Sequence, residues 1–278
     1  MRIDPWDAMD CKFYLGSYQP HTIRLIAATV RPGDFCIDVG AQKGFLTLHL
    51  AKAVGPGGRV IAFEPDPRAL EVLRSNVQRN GFEQVRLYSC ALGDSSDAFC
   101  SFALSHQLGW SSRFPNDIAK PTIESTISVR SRRLDDVMTE LDIAPGTHSI
   151  SFIKIDAEGS EPLVLQGAQE TLRRFRPVVH IEVNKSSLSA GGFSPDSVEA
   201  VLRPLDYHLY AIRYRRIGWR QRDLSLVPVV SLTSDIGGCE DLLAVHGDYP
   251  LVGTACLPTA GGMGQNTVVR RVESVRQG

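Results

Sequence analysis

Neither sign of charge predominates in this 278-residue sequence: Lys and Arg number 30, Asp and Glu number 31, and the formal net charge is −1. Such a balance lacks the long-range pull toward nucleic acid or an anionic membrane surface that a basic chain exerts. No apolar run reaches the length of a membrane span. The opening residues, MRIDPWDAMD, lack the basic-then-apolar order of a signal peptide, so a soluble, cytoplasmic location is expected. Cys11, Cys36, Cys90, Cys100, Cys239 and Cys256 include no C-x-x-C pair and no other zinc-ligand spacing. Cys36 and Cys90 sit inside apolar runs, which points to buried reduced thiols rather than ligands or disulfides. There is no internal repeat. What remains is a chain long enough for one large α/β core with appendages.

The sequence centres on residues 35–45, FCIDVGAQKGF. A run of β-formers, residues 35–39, meets Gly40-Ala41-Gln42-Lys43-Gly44 and then an amphipathic helical segment. Strand, tight glycine loop and helix N-terminus together suit a nucleotide-like cofactor. The glycines let a ligand approach the main chain, and the helix start offers unpaired N–H groups. A dinucleotide fingerprint, G-x-G-x-x-G, needs its second glycine beneath the pyrophosphate, and Gln42 holds that position here. The spacing instead reads Asp38-x-Gly40-x-x-x-Gly44. An aspartate at the strand end repels a pyrophosphate but suits the ammonium and sulfonium of S-adenosylmethionine. Glu64 closes the next strand, residues 59–63, where an acid holds a ribose diol.

Three regions follow along the chain. Residues 1–34 read as a helical lead-in, with Tyr18 and Gln19 as a lid that reaches the cofactor's carboxylate. Residues 35–250 read as the cofactor-binding domain, and residues 251–278 as a mobile tail. Within the domain, strands 35–39, 59–63 and 85–90 alternate with helices 44–54 and 67–80. That alternation means a parallel sheet covered on both faces, with ligand beyond the carboxyl ends of its strands. Ala91, just past the third strand, is a wall for the adenine. The alternation breaks at residues 97–130, where β-like runs 98–104 and 124–130 flank a polar loop. An inserted β-hairpin is expected there, with His106, Trp110, Ser111, Ser112 and Arg113 facing the acceptor. Strand 149–155 ends at Asp156 and is followed by helix 162–175, and strand 177–183 carries His180 and Glu182. Carboxylates at the ends of two consecutive core strands are costly without partners and mark a site. Helix 195–202 and strands 206–212 and 241–246 complete the domain. Arg213, Arg215, Arg216, Arg220 and Arg222 read as a solvated hairpin face, with contact to phosphate or carboxylate as the functional alternative.

Seven blocks in register carry a family resemblance: DVGAxxGxxTLxLA at 38–51, VIAFEPDP at 60–67, ALGD at 91–94, LDD at 134–136, FIKIDAEGSE at 152–161, VLxGA at 164–168 and RPVVHIE at 176–182. Over residues 18–184 the chain resembles the FkbM family of S-adenosylmethionine-dependent O-methyltransferases. The resemblance implies a Rossmann-like class I methyltransferase fold. Its sheet is seven-stranded and mostly parallel with helices on both faces, its last strand is antiparallel, and a β-ribbon is inserted after the third strand. It also implies methyl transfer to a hydroxyl of a sugar, polyketide or other secondary metabolite. Carried over by position, Asp38, Gly40 and Gly44 form the cofactor loop, with Gln42 in place of the family's Asn. Glu64 is the ribose clamp, Ala91 the adenine-side contact, and Asp156 lies between methionine moiety and acceptor. Tyr18 and Gln19 match the family's Tyr-Glu-Pro with Gln in place of Glu, and Lys43 is expected to face solvent.

A hydroxyl acceptor must lose its proton to a base or to a metal-bound oxygen. Asp156 is the first choice for the base, with His180 and Glu158 behind it, and Asp156 with Glu182 is a less favoured Mg²⁺ pair. The plain alternative for Glu158 and Glu161 is that they cap the next helix. Two other readings stay open. One is a nucleic-acid methyltransferase, supported by the arginine segment alone and opposed by the neutral charge. The other is a catalytically silent S-adenosylmethionine-binding partner or scaffold, suggested by Gln42 and Lys43. A homo-oligomer is compatible with all of them.

Overall fold

The computed structural model describes residues 1, 8–15, 17–141, 149–217 and 221–249. In chain order the strands are β1 (Phe35–Val39), β2 (Arg59–Phe63), β3 (Val85–Tyr88), β4 (Ala91–Leu92), β5 (Ala98–Ser105), β6 (Ile123–Arg132), β7 (Ile150–Ile155), β8 (Val178–Asn184), β9 (Tyr207–Ile217), β10 (Gln221–Pro228) and β11 (Cys239–His246). Eight of them form the main sheet, in the order β3-β2-β1-β7-β8-β11-β9-β10. β1 pairs in parallel with both β2 and β7, and β11 runs antiparallel to both β8 and β9. The winding direction reverses between β1 and β7, and the crevice beyond the carboxyl ends of those two strands is where such a sheet takes a ligand.

Side-chain alternation splits the core into two layers, one on each face. Phe35, Ile37 and Val39 of β1 join a cluster with Ile153, Leu172, Val179, Ile181 and Val198. Cys36 points the other way, into a cluster with Leu25, Leu50, Val60 and Phe152. Helices Pro20–Thr29 and Phe45–Val54 cover that second face. Leu25 and Ile26, both buried, contribute about 1.5–3 kcal/mol each and anchor the lead-in helix to the sheet.

Three elements differ from the sequence expectation. The sheet has eight strands, because β9 runs on to Ile217 and pairs with an antiparallel β10; this agrees with the hairpin read for the basic segment, whose residues 218–220 lie outside the described ones. The helix expected over residues 162–175 is two, Glu161–Gln166 and Gln169–Phe175. They part at Gly167, where a Cβ would lie 1.9 Å from the Gly93 carbonyl oxygen, and where the carbonyl accepts from the Asp135 N–H at 3.0 Å instead of continuing a helix. The third strand stops at Tyr88, and Ala91–Leu92 leaves it to join the hairpin β5–β6 in a separate three-stranded sheet. That hairpin is the inserted ribbon expected at residues 97–130. Cys36, Cys90 and Cys100 are buried free thiols, and Cys256 lies outside the described residues, as does the expected tail. Among the described residues no helix is long and apolar enough to cross a membrane.

Candidate active site

The loop after β1 crosses directly over the end of β7. Gly40 has φ +72°, and a Cβ on it would stand 1.8 Å from the Asp156 carbonyl oxygen, so only glycine lets the two segments meet. Lys154 of β7 fastens the same junction from within. Its Nζ donates to the carbonyls of Val39 (3.1 Å) and Gly40 (2.7 Å), and lies 3.4 Å from Asp38 Oδ1 and 3.5 Å from Asp156 Oδ2. Burial alone would lower this lysine's pKa, but the carboxylates of Asp156, Asp38 and Glu182 outweigh it and hold the ammonium above its ordinary range. Asp38 is wholly buried, and its other oxygen accepts from Thr47 Oγ1 at 2.6 Å.

At one end of the crevice Glu64 holds the loop. Gln42 adopts φ +52°, aiming its N–H at Glu64 Oε2 (2.7 Å), while the Asp66 N–H reaches Oε1 (2.8 Å). Burial raises the carboxyl to about 7, against the pull of those two N–H groups. Each oxygen retains a further lone pair, so the same carboxylate can still accept from two hydroxyls.

Carboxylates gather at the other end. Glu158, at φ +48°, takes a left-handed conformation that costs a glutamate energy, and it faces the crevice. Burial, then Asp156 and Glu161, raise its carboxyl to about 8, and Ser187 Oγ donates to it at 3.3 Å. Asp156 first, then burial, Asp241 and Glu158 push Glu182 well above the usual carboxylate range. Glu161 is different in kind. It turns back to accept the N–H groups of Ala157 (2.9 Å) and Gly159 (3.1 Å), as a helix-capping acid does, and burial raises it to about 7.

The lead-in closes over this end. Phe13 stacks on Phe45 with centroids 4.8 Å apart, and Tyr18 meets both rings edge-on. Burial, then Asp156, Glu182 and other nearby carboxylates, raise the Tyr18 hydroxyl's pKa. Gln19 donates from Nε2 to Glu182 at 3.5 Å and keeps a buried Oε1 without a partner.

The inserted ribbon supplies the remaining wall. Ser111 Oγ donates to Asp66 Oδ2 (2.8 Å) and accepts from the Ser105 N–H (3.0 Å), while Arg68 bridges Asp66 and the Ser105 carbonyl. The ribbon is thereby tied to the turn that carries Glu64. Asn116 donates to Ser187 Oγ at 2.9 Å, which links it to Glu158 as well.

Together these residues enclose a cavity of about 250 Å³. Tyr18, Gln19, Gly40, Gln42, Glu64, Ala91, Asp156, Glu158 and Glu182 line it, with Trp110, Ser111 and Arg113 of the ribbon. Other expected residues do not. Asp38 lies behind the loop, where Thr47 and Lys154 use its charge. Gly44 caps the helix and packs on Leu73. Ser112 is buried in a backbone pair with Ala103, and His106 is exposed, its ring against the Thr122 carbonyl. His180 is fully buried beneath the site, 3.2 Å from Asp241 and 3.4 Å from Thr22, and so cannot serve as a base at the cavity. Lys43 is buried rather than solvent-facing and does not line the cavity. Asp156, considered with Glu182 for Mg²⁺, has the Lys154 ammonium beside it. Among the described residues, His21, His180 and Asp241 bring three ligand-type atoms within 4.8 Å of one another.

Sequence reasoning missed Lys154 and Phe45. The lysine had a signal: a single cation in the apolar run FIKI of a strand covered on both faces must have buried counter-charges. Phe45 had none, since an aromatic at a helix start reads as core.

A parallel sheet with an antiparallel strand inserted near one edge, and a cavity over its switch point walled by a glycine loop and a strand-end acid, defines a Rossmann-like class I methyltransferase. Residues 38–209 match the family model described as Methyltransferase FkbM domain, and the chain belongs to that family. It is 28% identical over 184 residues to 2-O-methyltransferase NoeI of Sinorhizobium fredii, covering 60% of this chain and 70% of that one. To 31-O-demethyl-FK506 methyltransferase FkbM of Streptomyces tacrolimicus it is 32% identical over 176 residues, covering 54% of this chain and 65% of the relative. A crystal structure of methyltransferase FkbM from Methylobacillus flagellatus aligns over 87% of this chain and 55% of its own, at 18% identity and a TM-score of 0.45.

Proposed function

We propose that this chain transfers a methyl group from S-adenosylmethionine to a hydroxyl of a small molecule such as a sugar, polyketide or other secondary metabolite, with Glu158 as the base. The observation that carries the reading is the cavity over the switch point, with Glu64 at one end and Asp156 and Glu158 at the other. Its residues fit the cofactor. Gly40 leaves the main chain bare beside Asp156, Glu64 keeps lone pairs for a ribose diol, Ala91 bounds the adenine side, and the orphan Gln19 Oε1 suits the ammonium of the methionine part. When bound, S-adenosylmethionine supplies a methyl carbon already activated by sulfonium. The chain's own work is then to align the acceptor, exclude water and take up one proton. Asp156 is paired with Lys154, whereas the Glu158 carboxyl, raised to about 8, is a stronger base that still ionises near neutral pH. Trp110, Ser111 and Arg113 on the ribbon contact the acceptor. The names of two relatives describe O-methyl transfer, which supports a hydroxyl as the acceptor group.

Thermal unfolding with S-adenosylmethionine, S-adenosylhomocysteine or NAD, each with and without Mg²⁺, tests this reading. A ligand that binds the native state alone raises the Tm. The two adenosyl ligands are expected to stabilise the chain and NAD is not. No shift with either adenosyl ligand sinks the assignment.

A further inference from the structure

His21 lies in the first turn of helix Pro20–Thr29, His180 in β8 and Asp241 in β11, and their ligand-type atoms all lie within 4.8 Å of one another. His21 Nε2 is 2.6 Å from Asp241 Oδ2, a hydrogen-bond distance. His180 Nε2 is 3.2 Å from Asp241 Oδ1, yet that oxygen is buried and makes no hydrogen bond. Thr22 Oγ1 also lies 3.4 Å from that nitrogen and can donate to it. A ring nitrogen and a carboxylate oxygen side by side without a well-aligned proton between them present two electron pairs to one space, which is what a cation needs. Ligand bonds of about 2.0–2.1 Å at a tetrahedral ion put neighbouring donor atoms about 3.3 Å apart. The His180–Asp241 Oδ1 spacing already matches, and the His21 contact, made to the other carboxylate oxygen, has to open by roughly 0.7 Å as an ion replaces the proton. The side chains of His21 and Asp241 keep 16% and 20% exposure, which leaves an entry path and room for a water as fourth ligand.

We propose that His21, His180 and Asp241 form a binding site for a divalent transition-metal ion of the zinc type. Two imidazoles with one carboxylate favour Zn²⁺ and its neighbours in the series over Mg²⁺, which takes oxygen ligands. The three ligands come from the lead-in helix and two adjacent strands, so the ion fastens the segment carrying Tyr18 and Gln19 to the sheet. Glu182, which pairs with Asp241 across β8 and β11, and Gln19, two residues before His21, also line the cavity, so the metal site and the cavity share a wall. The site needs no S-adenosylmethionine, and its test is independent of the methyl-transfer reading.

The test is metal binding by the full chain, tag removed and stripped with chelator. Zn²⁺ is titrated by calorimetry, bound metal is measured after gel filtration, and the visible spectrum is taken with Co²⁺. The expected result is one ion per chain, the d–d absorption of a low-coordinate Co²⁺ site, and a higher Tm with Zn²⁺. His21→Ala and Asp241→Asn are expected to weaken binding by at least about tenfold, ligand loss being no milder than loss of an outer-shell partner. His208→Ala, which removes an exposed histidine, leaves binding unchanged. His21 is at the edge of the cluster, so its variant retains the fold, as circular dichroism will verify. Sub-stoichiometric binding by the wild-type chain, or equal binding by both ligand variants, overturns the proposal and leaves Asp241 hydrogen-bonded to His21 beside the His180 ring.

Discussion

Two buried side chains divide the work at the strand ends. Lys154 is the buried ammonium set among Asp38, Asp156 and the carbonyls of Val39 and Gly40. Replacing it by methionine fills the space but strands the aspartates without counter-charge. Lys154→Met is therefore expected to lose about 3–5 kcal/mol in urea unfolding, and a loss below about 1 kcal/mol would show that the charge is dispensable. Glu158 has the opposite character, a carboxyl raised to about 8 by burial and by Asp156. On the proposed reading its carboxylate form takes the proton, so kcat/KM is expected to climb with pH through about 8 in the wild-type chain. In Glu158→Gln that limb disappears and kcat falls by about 10²–10⁴-fold, while S-adenosylhomocysteine still binds. An unchanged pH profile in the variant would return the role to Asp156.

The elements that shape the cavity are a loop and a ribbon. Gly40→Ala puts a Cβ into the Asp156 carbonyl at a positive φ, so the loop must lift from β7 and the thermal shift with S-adenosylhomocysteine is expected to vanish. Gln42 acts through its main chain, which is why Gln42→Ala keeps the N–H to Glu64. Its affinity for S-adenosylhomocysteine is expected to fall by less than about tenfold, the worth of one side-chain hydrogen bond, whereas Glu64→Ala loses more. A larger loss in Gln42→Ala would mean that the side-chain amide itself contacts the cofactor. The ribbon is held at Ser111, between Asp66 and the Ser105 N–H.

At the scale of the whole molecule, the site stores proton affinity. Burial holds Glu64 and Glu161 at about 7 and Glu158 at about 8, all above the ordinary value of 4.5. For an acid raised on folding, the native state binds protons more tightly than the unfolded chain. Its stabilising contribution is complete below the unfolded value and is lost as pH rises through the folded one. The Tm of the ligand-free chain is therefore expected to fall between about pH 5 and about pH 8, and Glu161→Gln to flatten that slope. Asp241 is shifted the other way: burial acts to raise it, but His180 and His21 hold it below its usual value, so its contribution is lost only in stronger acid. A Tm that rises over the same interval would contradict the burial of these acids.

The order of strands and helices, the glycine loop and the strand-end acids were all readable in the sequence, because in a parallel sheet the residue that ends a strand also ends at the ligand crevice. Glu64 and Asp156 reach the cavity for that reason, whereas Ala91 borders it from the start of β4 in the smaller sheet. His180 did not, since it sits two positions before Glu182 on the same face, about 6–7 Å deeper along the strand. Strand β10 was missed because its apolar alternation is confined to Leu224 and Leu226, too short to stand out beside the basic run that precedes it. Ser112 and Lys43 sit within the right segments, yet their side chains turn away from the cavity, and local pattern does not encode that choice. Periodicity and spacing over a few residues laid out the strands and helices and the strand ends that border the cavity, and the seven motif blocks in register carried the resemblance to the family. Which charges meet was not written in any local pattern. Lys154 with Asp38 and Asp156, and His21 with His180 and Asp241, come from strands and helices far apart in the chain, and their partnership depends on the strand order of the sheet.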